Sequence, residues 1–239
     1  VVGSPVVLTG SGFTGTTAVS FNATAAVTFT VNSNTQITAT VPVAATTGKI
    51  SVTNAAGSAL SAADFTVIVT PAITSFAPAS EVVGSPVVLT GSGFTGTTAV
   101  SFNATAAVTF NVDSNTQITA TVPVAATTGK IGVTNAAGSA LSATDFTVIV
   151  APAITSFAPA SEVVGSPVVL TGSGFAGTTA VSFNATAAVT FNVDSNTQIT
   201  ATVPVAATTG KIGVTNAAGS ALSATDFTVI VAPAITSFA

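Results

Sequence analysis

The 239-residue sequence predicts an all-β fold of tandem β-sandwiches, and three observations carry that prediction. First, Val1-Val2-Gly3-Ser4-Pro5 recurs as Val82-Val83-Gly84-Ser85-Pro86 and as Val163-Val164-Gly165-Ser166-Pro167, a step of 81 residues (82 − 1, then 163 − 82). Second, between turn residues the side chains alternate apolar and polar with period two, and no segment has a convincing helical period. Third, a period of 81 residues exceeds that of a solenoid unit and suffices for a small sandwich with its own core.

The second repeat shows the elements in order. Pro86-Val87-Val88-Leu89-Thr90 is a β-rich run, expected to stop at Gly91-Ser92-Gly93, read as turn residues with positive φ. Ala99–Asn103 and Ala107–Val112 alternate. Gln117–Val122 alternates until Pro123 ends it, and Lys130–Thr134 follows the turn at Thr128-Gly129. Phe146–Val150 is the longest apolar run, and Ala153–Phe157 follows Pro152. Seven short strands of this kind predict an immunoglobulin-like sandwich. Its expected core is Leu89, Phe102, Phe110, Ile118, Val133, Phe146 and Val148. Proline instead of a Gly/Ser linker joins the repeats, so three near-identical 81-residue modules are expected in a stiff, elongated rod.

Composition narrows function. Charged residues are 4% of the chain, the cations are Lys49, Lys130 and Lys211, and the net charge is −4. Nucleic-acid binding and attraction to anionic membranes both need clustered cations, so neither is expected. No apolar run approaches the roughly 20 residues of a spanning helix, so no membrane insertion is expected. A surface of Thr, Ser, Asn and Ala is insensitive to salt and lacks the charge repulsion that keeps copies apart. His, Cys, Met, Trp and Tyr are absent. Nothing can then activate the many hydroxyls, so no enzyme and no cofactor is expected. Near-identical copies suit extension and assembly, not one asymmetric site.

Ala153-Ile154-Thr155-Ser156-Phe157-Ala158-Pro159-Ala160-Ser161 resembles the opening of an IPT/TIG domain. The landmarks that follow are also similar: Val169–Phe175, Val181–Asn184, Thr197–Pro204, Gly210–Val214 and Ala224–Phe227. The resemblance covers essentially the whole chain. It implies an immunoglobulin-like sandwich and no activity, since the family includes receptor stalks, dimerisation modules and accessory domains of secreted carbohydrate enzymes. Its DNA-contacting members use basic loops, and this sequence has none. Modules are expected at 1–70 (lacking its first strand), 71–151 and 152–232, with 233–239 the first strand of a following module. Ile73, Phe76, Ile154, Phe157, Ile235 and Phe238 are the expected inter-module or assembly residues.

Three minor sites are weighed against plainer readings. Asn22-Ala23-Thr24, Asn103-Ala104-Thr105 and Asn184-Ala185-Thr186 match the N-glycosylation triplet, a short and common pattern. Asp113, Asp145, Glu162, Asp194 and Asp226 could suggest calcium, but acids scattered singly read as solvated turn residues. Lys130 with Asp145 raises a lysine–asparagine isopeptide bond, which needs a desolvated lysine; a lysine directly after Gly129 at a strand start is ordinarily exposed.

The expected function is a structural repeat segment of an extracellular bacterial or archaeal filament or surface fibre. Its partners would be copies of itself, head to tail and laterally. A passive adhesin stalk is the alternative; a carbohydrate-binding module ranks last, because exposed Trp and Tyr platforms are missing. Pro233–Ala239 repeats the strand that opens modules two and three, so head-to-tail continuity is expected. It would come from a longer covalent array, the preferred reading, or from strand addition to the next subunit.

Overall fold

A computed structural model of the chain describes residues 1–233. By contact they form two compact units. One comprises Val1–Phe76, Val88–Ala120 and Lys130–Thr144; the other comprises Ala77–Val87, Thr121–Gly129 and the segment from Asp145 on. The division passes through the second repeat. Ile235 and Phe238 lie outside the described residues.

The third repeat, wholly inside the second unit, has two four-stranded sheets. One orders Ala153–Ala158, Pro167–Ser173, Gln198–Thr202 and Phe191–Ser195; the other orders Thr186–Ala187, Thr178–Phe183, Ile212–Asn216 and Gly219–Leu222. A two-stranded parallel pair joins Ser161–Val163 to Thr228–Ile230, with Ser161 opposite Thr228 and Val163 opposite Ile230. Alternation is what fills the space between sheets. Val168, Leu170, Phe175, Val181, Phe183, Ile199, Ile212, Val214 and Phe227 are buried there in one cluster. Phe183 and Phe227 meet edge to face, centroids 5.2 Å apart. The fold is an all-β immunoglobulin-like sandwich, as the strand pattern predicts.

Several details depart from expectation. Phe110 is half-buried; the other six predicted core residues of the second repeat are buried. Pro86–Ser92 does not stop before Gly91 but runs through it. The longest apolar run shortens to Thr147–Ile149. Ser80–Val82, Thr105–Ala106 and Gly138–Leu141 are further strands that the sequence does not announce, because they are two to four residues long and mostly small or polar.

Asn22 and Ala23 form a two-residue hairpin turn, both with positive φ (44° and 67°). A type I′ turn requires that conformation, which asparagine tolerates and alanine resists.

The repeat-to-repeat differences are local. In the first repeat Asn32 donates to Thr38 Oγ1 (2.8 Å) and Gln36 Oε1 (3.2 Å). In the second, Asp113 instead accepts from Thr119 (2.8 Å), and Asn111 replaces Thr30 and supplies a second donor. Asp113 therefore sits on a strand, not in a turn. Ser51 pairs with Ser20 at 2.6 Å; its counterpart Gly132 would bring a Cβ within 2.7 Å of Ser101 Oγ. The Ala63/Thr144 difference has no structural account.

Candidate assembly site

The strand that opens a repeat is held by three devices, each traceable to particular residues. In the third repeat Ala153–Ala158 pairs antiparallel with Pro167–Ser173: Ala153 faces Ser173, Ile154 faces Gly172, Ser156 faces Thr171, Phe157 faces Leu170 and Ala158 faces Val169. The register shifts at Thr155, whose hydroxyl donates to the Thr171 carbonyl at 3.0 Å. A bulge leaves a residue unpaired, and this side-chain bond occupies it. Ile154 and Phe157 are half-buried and pack on the core cluster. The Phe157 ring meets Phe227 edge to face at 6.0 Å. Ile73 and Phe76 hold the same half-buried positions in the second repeat.

The second device is a glycine. A Cβ on Gly172 would stand 1.9 Å from the Ala153 carbonyl oxygen, and one on Gly91 would stand 2.0 Å from that of Ala72. The opening strand can lie this close only where the acceptor strand has no side chain. Of Gly91-Ser92-Gly93, expected to turn with positive φ, Gly93 does so (φ 70°), whereas Gly91 and Ser92 lie on the strand.

The third device is a buried asparagine. Asn216, 5% exposed, donates to the carbonyls of Val150 (2.9 Å), Gly174 (2.9 Å) and Ala176 (3.3 Å). Its Oδ1 accepts from the Ala218 amide at 2.8 Å. Asn135 does the same with Val69 (2.8 Å) and Gly93 (2.9 Å) inside the first unit. One side chain thus ties the residues that precede a repeat to a loop and a strand end of that repeat. Nearby, Ile149 is buried and approaches Gly177, where a Cβ would lie 2.9 Å from its Cδ1; Pro152 is buried as well. Thr70 adds one bond, its hydroxyl donating to Ala137 at 3.2 Å, which Ala151 cannot repeat. Sequence reasoning missed Asn135 and Asn216. An Asn before Ala-Ala-Gly reads as a turn residue, and its partners lie 66 residues away for the Val carbonyls.

The first repeat presents the same acceptor surface uncovered among the described residues. Its sheet has three strands, Pro5–Thr9, Gln36–Thr40 and Phe29–Ser33. Val6, Leu8, Phe13, Val52 and Phe65 are only half-buried, whereas Val168, Leu170, Phe175, Val214 and Phe227 are at most 1% exposed. Together with Leu60 they line a groove of about 530 Å³.

The other predicted positions lie elsewhere. Asn22 and Asn184 are exposed, but their amides donate to Thr46 and Thr208, each at 2.8 Å. A glycan on Nδ2 would take a hydrogen from that donor set. Lys211 pairs with Asp226 at 3.1 Å, both side chains well exposed. Among the described residues no three His, Cys, Asp or Glu side chains gather at one point.

Solved structures similar to the chain include one crystallised with xylogluco-oligosaccharide (25% identity, 95% of this chain and 57% of that one, TM-score 0.47). Another is SGBP-B from a complex xyloglucan utilization locus in Bacteroides uniformis (21% identity, 66% and 49% covered, TM-score 0.37). A third is the plexin A4 extracellular region (11% identity, 96% and 32% covered, TM-score 0.43). The chain spans about half the length of the first two. No curated protein matches it. The IPT/TIG domain model matches residues 71–148 and 152–229, the two repeats whose opening strands are seated as described, and the chain belongs to the IPT/TIG domain family.

Proposed function

We propose that the chain is a non-catalytic structural segment of an extracellular filament or surface fibre, its repeats following one another head to tail and copies of the chain being its partners. The observation that carries this reading is the repeated fastening. Val69 and Val150, each just before a repeat, are tied to it by the same asparagine bond at 2.8 and 2.9 Å. Near-identity of the repeats and a charge content of 4% support the same reading, since regular geometry and weak mutual repulsion both favour packing of copies. This reading sets the module boundaries at 71 and 152, and the buried Pro71 and Pro152, which directly precede the opening strands Ala72–Ala77 and Ala153–Ala158, support that choice.

Negative-stain electron microscopy of the purified chain over a range of concentrations tests this. Ordered filaments that lengthen with concentration are expected. Discrete particles at every concentration would point to a stalk, and retention on a glycan array without filaments would point to a carbohydrate-binding module.

A further inference from the structure

We propose that the strand Gly219–Leu222 is a lateral docking edge, and that its partner is the same strand of a second copy of this chain, antiparallel across a two-fold axis at Ala221. The inference rests on the reading of copies as partners and gives it a side-to-side contact. Four strands end the two sheets of the third repeat, and three of them are guarded. Ala153–Ala158 lies between Pro152 and Pro159 and carries the bulge at Thr155. Phe191–Ser195 carries Asp194 and a register shift between Val193 and Ser195. Thr186–Ala187 is two residues long. Prolines, charges, bulges and brevity keep a sheet edge from pairing with other chains. Gly219-Ser220-Ala221-Leu222 has no proline, no charge and no shift of register.

The backbone of this edge is complementary to itself. Ser223 donates to the Ile212 carbonyl at 2.8 Å, and Leu222, Ala221 and Ser220 stand opposite Gly213, Val214 and Thr215. Alternate pairs of an antiparallel ladder exchange hydrogen bonds, so Ala221 turns its amide and carbonyl to Val214, whereas Ser220 and Leu222 turn theirs to the open side. Among the described residues no strand pairs there. Setting Ser220 opposite Leu222 of the second copy engages every outward amide and carbonyl of both strands. The axis then passes between the two Ala221 residues, whose methyl groups suit the close, non-hydrogen-bonded pair. Leu222, 68% exposed, comes beside the second copy's Ser220 and is partly covered by it. Gly-Ser-Ala-Leu recurs as a strand at 57–60 and 138–141, with Leu60 and Leu141 as exposed as Leu222 (68% and 67%). Each edge is short and its contact weak, so several edges on one chain bind by multivalency.

The chain has no cysteine, so an introduced one reports on this contact. Opposed residues of a non-hydrogen-bonded pair have Cα atoms about 4.5 Å apart, within the range a disulfide spans. Full-length Ala221→Cys is expected to give disulfide-linked dimers on mild oxidation, read by non-reducing electrophoresis. Thr225→Cys, exposed but off the strand, should give at least tenfold less. Adding Leu60→Lys, Leu141→Lys and Leu222→Lys, all at exposed positions, to Ala221→Cys should cut the dimer at least tenfold. Equal dimers from the two cysteines, or a dimer indifferent to the lysines, would overturn the proposal. Filaments by microscopy without this dimer would overturn the side-to-side contact and leave the fibre reading standing. The dimer without filaments would do the reverse, and absence of both would remove both.

Discussion

Asn216 and Val150 lie 66 residues apart in the chain and 2.9 Å apart in space, the amide of one donating to the carbonyl of the other. Asn216 is 5% exposed, so every bond it makes substitutes for one that water would have made. Asn216→Ala leaves the Val150 and Gly174 carbonyls without their donor. A loss of about 1–3 kcal/mol is expected for unfolding of the third repeat. Asn54, half-buried, donates to Gly12 at 2.9 Å and, among the described residues, makes no bond like that of Asn216 to Val150; in the chain as given, Asn54→Ala should cost less than Asn216→Ala in the same urea titration.

Gly172→Ala should loosen the opening strand selectively. Its Cβ would meet the Ala153 carbonyl oxygen at 1.9 Å, a distance no rotamer change relieves. Hydrogen exchange at Ile154–Ala158 is expected to accelerate at least tenfold, while Gln198–Thr202 keeps its protection. Unchanged exchange at the opening strand would show that the strand accommodates the methyl group.

Phe183 is 1% exposed and stacked edge to face on Phe227, so Phe183→Ala should cost about 3–5 kcal/mol. Phe157→Ala, at a half-buried position, should cost clearly less in chemical denaturation of the same chain. Equal losses would mean that the opening strand is as integral to the core as the sheets are.

Ala185 holds a φ of 67° in a two-residue turn. A β-carbon there costs roughly 1 kcal/mol that glycine avoids, partly offset by the greater freedom of glycine in the unfolded chain. Ala185→Gly is therefore expected to raise the thermal midpoint of the third repeat slightly, and Ala185→Val to lower it. A midpoint that falls with glycine would count against this account.

Much of the fold was legible because alternation marks buried faces directly: Leu89, Phe102, Ile118, Val133 and Phe146 are buried where a period of two places them. Phe110 fits the same alternation yet is half-buried, since its strand lies at the end of its sheet, where fewer neighbours cover it. Ser161–Val163 was not legible, because its partner strand begins at Thr228 and nothing local specifies that pairing. The assembly strand was half legible. Ile154 and Phe157 are marked by the recurring Ala-Ile-Thr-Ser-Phe strand, whereas Gly172 and Asn216 act through atoms brought to them by the fold.

The parallel pair of Ser161–Val163 and Thr228–Ile230 has a mechanical consequence. Because the two strands run in the same direction, the chain enters the pair at its Ser161 end and leaves it at the opposite, Ile230 end. A pull along the chain therefore drags the two strands past each other in opposite directions. Strands loaded this way resist in shear: their cross-links strain together and must rupture together, whereas a hairpin pulled from its open end unzips one bond at a time. A repeat fastened so carries tension through this pair as well as through the Ala153–Ala158 strand that precedes it in the chain.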